Sequence, residues 1–238
     1  MLAARKSEEL QENAGKSGES KLADLRFRQL LGAAGWDALP APVRKRFGKR
    51  LSAGQSANYV GHVNECRMSL SGRILAQACR LIGAPLPLER DGGVAAMVSV
   101  TEDGKSGGQV WTRMYARKRG FPQVIHSAKR FAGPTGLEEY LGRGIGIALN
   151  VSAVPGGIRF SSDHYCIAIG PMRLRLPALI APGQLHIDHI ERGDGEFTFT
   201  LSLNHALLGE VIHQECRFCD QAEDRPAHPL SLLQESAA

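Results

Sequence analysis

"EFTFTLSL", residues 196–203, decides the fold. Phe197, Phe199, Leu201 and Leu203 fall on one side of an extended chain, and Thr198, Thr200 and Ser202 on the other, because side chains alternate across a strand. Such a strand buries one face and wets the other, the pattern of an antiparallel sheet. Upstream, Gly193-Asp194-Gly195 is a turn behind "QLHIDHIE"; downstream, "LGEVIHQECRFC" reads as the last strand. The period of two extends back to residue 92. "GVAAMVSVTEDGKSGGQVWTRMYARKRG" reads as two strands around a Gly-rich turn, "FPQVIHSAKRF" continues the meander, and "GIGIALNVSAVPGGIRFSSDHYCIAIG" turns at Pro155-Gly156-Gly157. Eight or nine antiparallel strands with short turns predict a mainly β (α+β) chain, an antiparallel β-barrel or half-barrel meander.

Before this meander, "ANYVGHVNECRM" reads as a first strand and "SLSGRILAQACRLIGAPLP" as the clearest helix. Ser69 or Ser71 caps it, Ile74, Leu75, Ala78, Leu81 and Ile82 form its apolar stripe, and Gly83 with Pro85 ends it. The helix, residues 71–82, is expected to pack on the barrel or plug one end. Two short helices precede it. One carries Leu22, Leu25, Leu30 and Leu31 and stops at Gly32; the other starts near Pro42 and sets Val43 and Phe47 on one face. Residues 1–20 are polar and read as a disordered lead, 21–219 as a single β-rich domain, and 220–238 as a C-terminal tail.

A chain of 238 residues buries a real core, and 43% apolar with 22% charged residues is ordinary for a globular protein. "MLAARKSEELQENAGKSGES" has no apolar run of the secretory kind, and "LRLPALIAP" is too short to span a bilayer. Five scattered cysteines fit reduced thiols better than a disulfide framework, so a cytoplasmic location without a membrane span is expected. The net charge of +5 is uneven. Arg113, Arg117, Lys118, Arg119, Lys129 and Arg130 form a basic run with no acid between them, and Arg113, Arg117, Lys118 and Arg119 are its candidate contacts to an acidic protein partner. Nucleic acid is not favoured, since no RNP-like run or zinc-finger spacing occurs and aromatics are few.

"GEVIHQECRFCD", residues 209–220, looks most like chemistry. On a strand, however, residues three apart face opposite ways and lie about 10 Å apart. Cys216 and Cys219 then cannot pair, since a disulfide needs Cα atoms within about 7 Å. His213 and Cys219 share one face, with Cys216, Ile212 and Phe218 on the other. Zinc would need further ligands from a second motif, and Cys66, Cys79 and Cys166 are isolated, so no metal is assigned. "LGRGIG" continues as a strand where a dinucleotide fingerprint needs a helix, so no cofactor is assigned either. In "LHIDHIE", Asp188 shares a face with His186 while His189 points away.

The informative positions are polar residues on apolar faces. Ile158, Phe160, Ser162, His164, Cys166 and Ala168 form one such face. Val124, His126 and Ala128 form a second, Val110, Thr112, Met114 and Ala116 a third, and Ile212, Gln214, Cys216 and Phe218 a fourth. If these faces line the lumen, His164, His126, Gln214, Thr112 and Met114 are the candidate ligand-binding residues of an apolar cavity. The alternative, which buried polar groups in general favour, is that the same residues are hydrogen-bonded groups in a filled core.

The ordered set Leu31-Gly32, Trp36, Trp111-Thr112-Arg113 and Leu176-Pro177 resembles a bacterial family known only as domain of unknown function 4166. "YVGHVNECR", "RILAQACRLIGAPLP", "GIGIALNV" and "HALLGEVIHQECRF" extend the resemblance over roughly residues 25 to 219. The family brings no established reaction and no catalytic residues. Similar domains occur alone or fused behind NAD-binding reductase-like domains, which implies service to a partner enzyme or its substrate; here that partner would be separate. Three expectations result. The leading one is a non-catalytic binding module for a small, mostly apolar ligand. The second is an accessory or catalytic domain working with an NAD-dependent reductase-like partner, which calls for buried His164 or His126 beside a carboxylate such as Asp163 or Glu65. The third is an interaction protein that docks through the basic hairpin.

Overall fold

The computed structural model describes residues 24–51, 54–169, 172–178 and 180–220. The expected lead at 1–20 and nearly all of the expected tail lie outside them. Eleven strands form one antiparallel sheet: β1 (Ser56–Met68), β2 (Ala95–Asp103), β3 (Gly108–Tyr115), β4 (Gln123–Arg130), β5 (Glu138–Gly142), β6 (Ile145–Val154), β7 (Gly157–Ile169), β8 (Met172–Arg175), β9 (Gln184–Gly193), β10 (Glu196–His205) and β11 (Gly209–Asp220). Each strand pairs with its successor along the chain except β8, which pairs only with β7, while β7 also pairs with β9. β11 returns to β1, so ten strands close an up-and-down barrel and β8 is an extra. Closure removes the sheet edges that would otherwise invite pairing with other chains.

The hairpins at 104–107, 155–156 and 194–195 are the ones the turn residues predict, and β10 buries Phe197, Phe199, Leu201 and Leu203. β5 and β8 are strands that alternation in the sequence does not indicate. "EEYLG" carries two glutamates, both of them buried here, and β8 is four residues long and exposed.

Among the described residues, three helices serve the ends. α1 (Arg26–Asp37) does not stop at Gly32 but kinks there, with φ at 69°, and resumes. α2 (Ala41–Phe47) follows. Phe27 of α1 and Phe47 of α2 lie edge-on to each other at 5.2 Å, and both stand within about 6 Å of Phe160 in β7, plugging this end with aromatic side chains. Arg46 fastens α2 to the barrel: its guanidinium meets Glu191 of β9 at 2.6 Å and Asp220 of β11 at 2.6 Å.

α3 (Leu70–Ala78) covers the other end. The Ser69 side chain accepts a hydrogen bond from the Gly72 amide at 3.1 Å, the expected N-cap. A 3₁₀ turn, Cys79–Ile82, then ends at Gly83 with φ at 106°. Gly72 sits so close to β11 that a Cβ there would stand 2.0 Å from the Val211 carbonyl oxygen. That contact rotates the helix away from its expected stripe: Leu75 and Ile82 turn inward, whereas Ile74 and Leu81 are exposed.

A candidate ligand cavity inside the barrel

A cavity of about 230 Å³ lies beneath α3. Leu75, Cys79 and Ile82 roof it, Leu201 and Leu203 of β10 and Ile147 of β6 belong to its walls, and Leu176, Ile180 and Pro182 close one side. The opening they close has a local cause. β7 pairs with β9 only through residues 157–161, and beyond them its edge turns to β8. Where β9 begins, the Leu185 amide donates to Ser162 Oγ at 2.9 Å, a side chain taking over where the ladder stops.

Opposite Ala148 and Leu149 of β6, β7 carries an additional residue, Asp163. A one-residue bulge reverses the phase of everything beyond it. Tyr165 and Ile167 therefore line the cavity, and His164 is turned outward, where its Nδ1 meets Asp163 Oδ2 at 2.6 Å. The inward face runs Ile158, Phe160, Ser162 and then Tyr165, in place of the unbroken alternation through His164 and Cys166.

On β3 and β4 the phase is opposite to expectation, although Ala128 on the expected face of β4 is buried as well. Gln109, Arg113 and Tyr115 of β3, and Ile125, Ser127 and Lys129 of β4, are buried, while His126 is exposed and Thr112 and Met114 are half-buried on the outside. Thr112 and His126 are a cross-strand pair joined at 3.1 Å on the outer surface. Of the five residues expected to line a cavity, Gln214 is on the inner face, buried beside Ile212, Cys216 and Phe218, and is not part of this cavity's wall.

The basic hairpin is likewise reduced. Arg113 points into the lumen with its side chain 5% exposed, so it is no part of the outer patch. Arg117 pairs with Glu89, the Lys118 amide donates to Asp91, and Lys118 and Arg119 remain exposed. Lys129 is buried too, and Arg130 faces Asp103 at 3.7 Å.

The floor of the cavity is charged. Arg113 and Glu139 are its two charged lining residues, and behind them Lys129 and Ser127 complete a layer across the barrel. Lys129 Nζ donates to Glu139 Oε2 at 3.0 Å and lies 5.1 Å from the Trp111 ring and 4.9 Å from Phe160. Arg113 Nη2 donates to Ser127 Oγ at 2.9 Å but stands 3.6 Å from Glu139 Oε1, too far for a hydrogen bond. Arg113 Nε is buried and has no hydrogen-bond partner. Burial alone would raise the Glu139 carboxyl, yet Lys129 and Arg113 overcome it and hold the group down at about 2. Burial lowers the Lys129 amine, with Glu139 opposing it and Arg113 adding to it. The two cations thus lower the carboxyl against its burial, with a hydrogen bond from Ser127 adding to them, whereas the amine is lowered first by its own burial and then further by Arg113.

At the α2 end, His189 is buried against Phe197, ring on ring at 4.3 Å. Burial, then the charge of Arg46, push its imidazole down to about 3. Arg46 Nη1 lies 3.2 Å from Nε2 and can only donate, so Nε2 accepts and the neutral ring carries its proton on Nδ1. Along β11 the strand stays extended through Asp220; Cys216 is buried and Cys219 exposed on the opposite face. Burial raises the thiols of Cys66 to about 11 and Cys216 to about 12, and also raises that of Cys79 in the cavity roof, which keeps them as protonated, poorly nucleophilic thiols. No grouping of three metal-ligating side chains occurs among the described residues, and no helix among them is long and apolar enough to cross a membrane.

A family model described as a domain of unknown function (DUF4166) matches residues 39–218, more than half of the chain. No curated protein and no solved structure matches the chain.

Proposed function

We propose that the chain, which belongs to the domain of unknown function 4166 family, is a binding module for a small, mostly apolar ligand held inside its barrel. The cavity beneath α3 carries this reading. At about 230 Å³ it exceeds the roughly 150 Å³ apolar cavity that suffices for benzene, and in proportion it accepts about ten non-hydrogen atoms. Left unfilled, its apolar walls forgo the packing contacts that side chains of a filled core make. Retaining it makes sense where a ligand fills it. Apolar walls with a few polar groups at one end are the ordinary composition of such sites.

Native mass spectrometry of gently purified protein, followed by a denatured run, tests the reading. The expected result is a mass excess that disappears on denaturation, or, for protein purified empty, a rise in unfolding temperature with millimolar 1-octanol. Bare polypeptide mass together with an unmoved unfolding temperature would refute it.

A further inference from the structure

We infer that the ligand is an acid, a small carboxylate whose head group is received by Arg113 at the cavity floor while its apolar tail extends toward α3. This inference rests on the binding function proposed above and adds the chemical class. Its starting point is a donor left without an acceptor. Arg113 is almost wholly buried, its Nη2 is used by Ser127, and its Nε has no partner. Buried donors are seldom left unpaired, because forgoing the hydrogen bond to water is costly.

Glu139 does not meet this need. Its Oε2 is taken by Lys129, and its Oε1 remains 3.6 Å from Arg113. The layer thus holds two basic side chains for one carboxylate. A cationic ligand would add to that surplus; an anionic one would neutralise it, and would do so where low polarity strengthens the attraction. Guanidinium and carboxylate also match in geometry. Above the floor the cavity wall is apolar but for Tyr165 and the Cys79 thiol, so the remainder of the ligand is hydrocarbon. Ten non-hydrogen atoms is about the size of octanoate.

The test is calorimetric titration of the full chain at pH 7.5 with three probes of nearly equal size: octanoate, 2-nonanone and 1-octanol. Octanoate is expected to bind at least about tenfold more tightly than either neutral probe, the range of a hydrogen bond to a charged group. Arg113→Met is expected to abolish that preference, and Arg117→Met on the surface to leave it intact. Equal affinity for octanoate and 1-octanol would overturn the acid class while sparing the apolar site. A 2-nonanone affinity matching that of octanoate would overturn it in favour of a neutral carbonyl. A preference surviving in Arg113→Met would remove Arg113 from the role. Failure of all three probes to bind would instead defeat the proposed function itself. Should Arg113→Met not fold, the ranking on the unaltered chain still decides.

Discussion

Glu139→Gln is the most telling perturbation of the barrel's interior. Among the described residues Glu139 is the anion paired with both Lys129 and Arg113, at 3.0 and 3.6 Å, and all three side chains are at most 5% exposed. Removing the partner of a buried charge costs about 3–5 kcal/mol, because an uncompensated cation is stranded out of water. Here two cations are stranded, so the upper part of that range applies. For a domain of this size about 1 kcal/mol moves the unfolding temperature by roughly 2–4 °C, so a loss of more than 10 °C is expected.

Lys129→Met removes charge from the other side of the same contact and should behave differently. Arg113 and Glu139 remain as a balanced pair, and the methionine takes up space between Trp111 and Phe160. A cost below about 2 kcal/mol is expected, and the double variant should be much less damaging than Glu139→Gln alone. Chemical denaturation of the three variants at pH 7 measures these differences directly. If Lys129→Met destabilises as much as Glu139→Gln, the reasoning that cations exceed anions in this layer is wrong, and with it the basis for placing an anionic ligand there.

Acid should unfold the protein in two overlapping stages. The folded His189 value, about 3, lies below its ordinary 6.5, so the stability it preserves is complete above pH 6.5 and is lost as pH falls toward 3, by up to about 1.4 kcal/mol per unit. The folded Glu139 value, about 2, lies below 4.5, so its contribution is complete above pH 4.5 and is lost only between there and pH 2. Denaturation midpoints followed against pH should lose the slope between 6.5 and 4.5 in His189→Gln and keep the part below it; an unchanged slope would show that His189 is not the group responsible. Gly72→Ala would drive a methyl into the Val211 carbonyl, pushing α3 off the barrel; a loss of about 1–3 kcal/mol or more is expected, with weaker 1-octanol binding as the roof lifts. Ser69→Ala should cost about 1–2 kcal/mol, measured by thermal unfolding, through the lost cap and the lost hydrogen bond from its hydroxyl to the Val211 carbonyl at 3.2 Å.

How much of this interior was legible in the sequence varied strand by strand. β10 and the inner face of β11 were readable because their inward residues are apolar apart from Gln214 and alternate without interruption. β3 and β4 misled for a physical reason. Arg113 shares a face with Trp111 and Tyr115, and Lys129 with Ile125, and long cations are almost never buried unless paired. The pairing that permits it comes from Glu139, 26 residues beyond Arg113 and on a strand too short and too acidic to be noticed. In β7 the phase changes at Asp163, and a bulge is a property of two strands in register, which one strand's sequence does not disclose. So the fold could be read from alternation, whereas the cavity floor could not: its residues break the rule by which inward faces are recognised.

The number of strands explains why such a floor exists. A barrel of about eight strands is just wide enough for side chains to fill, and its diameter grows roughly linearly with strand number. Ten strands leave more lumen than aliphatic side chains can occupy. At the α1–α2 end the excess is taken up by Phe27 and Phe47, inserted from outside the sheet against Phe160. Across the middle it is spanned by long side chains, Arg113, Lys129 and Glu139, whose charges tolerate burial because they lie together. At the α3 end the helix carries no aromatic side chain to insert; the close approach of Gly72 to β11 seats it as a lid, with Leu75 and Ile82 directed downward. The cavity is thus what remains of a wide barrel after a plug, a charged partition and a lid have been placed. Its polarity, apolar above and basic below, follows from which of these three forms each surface.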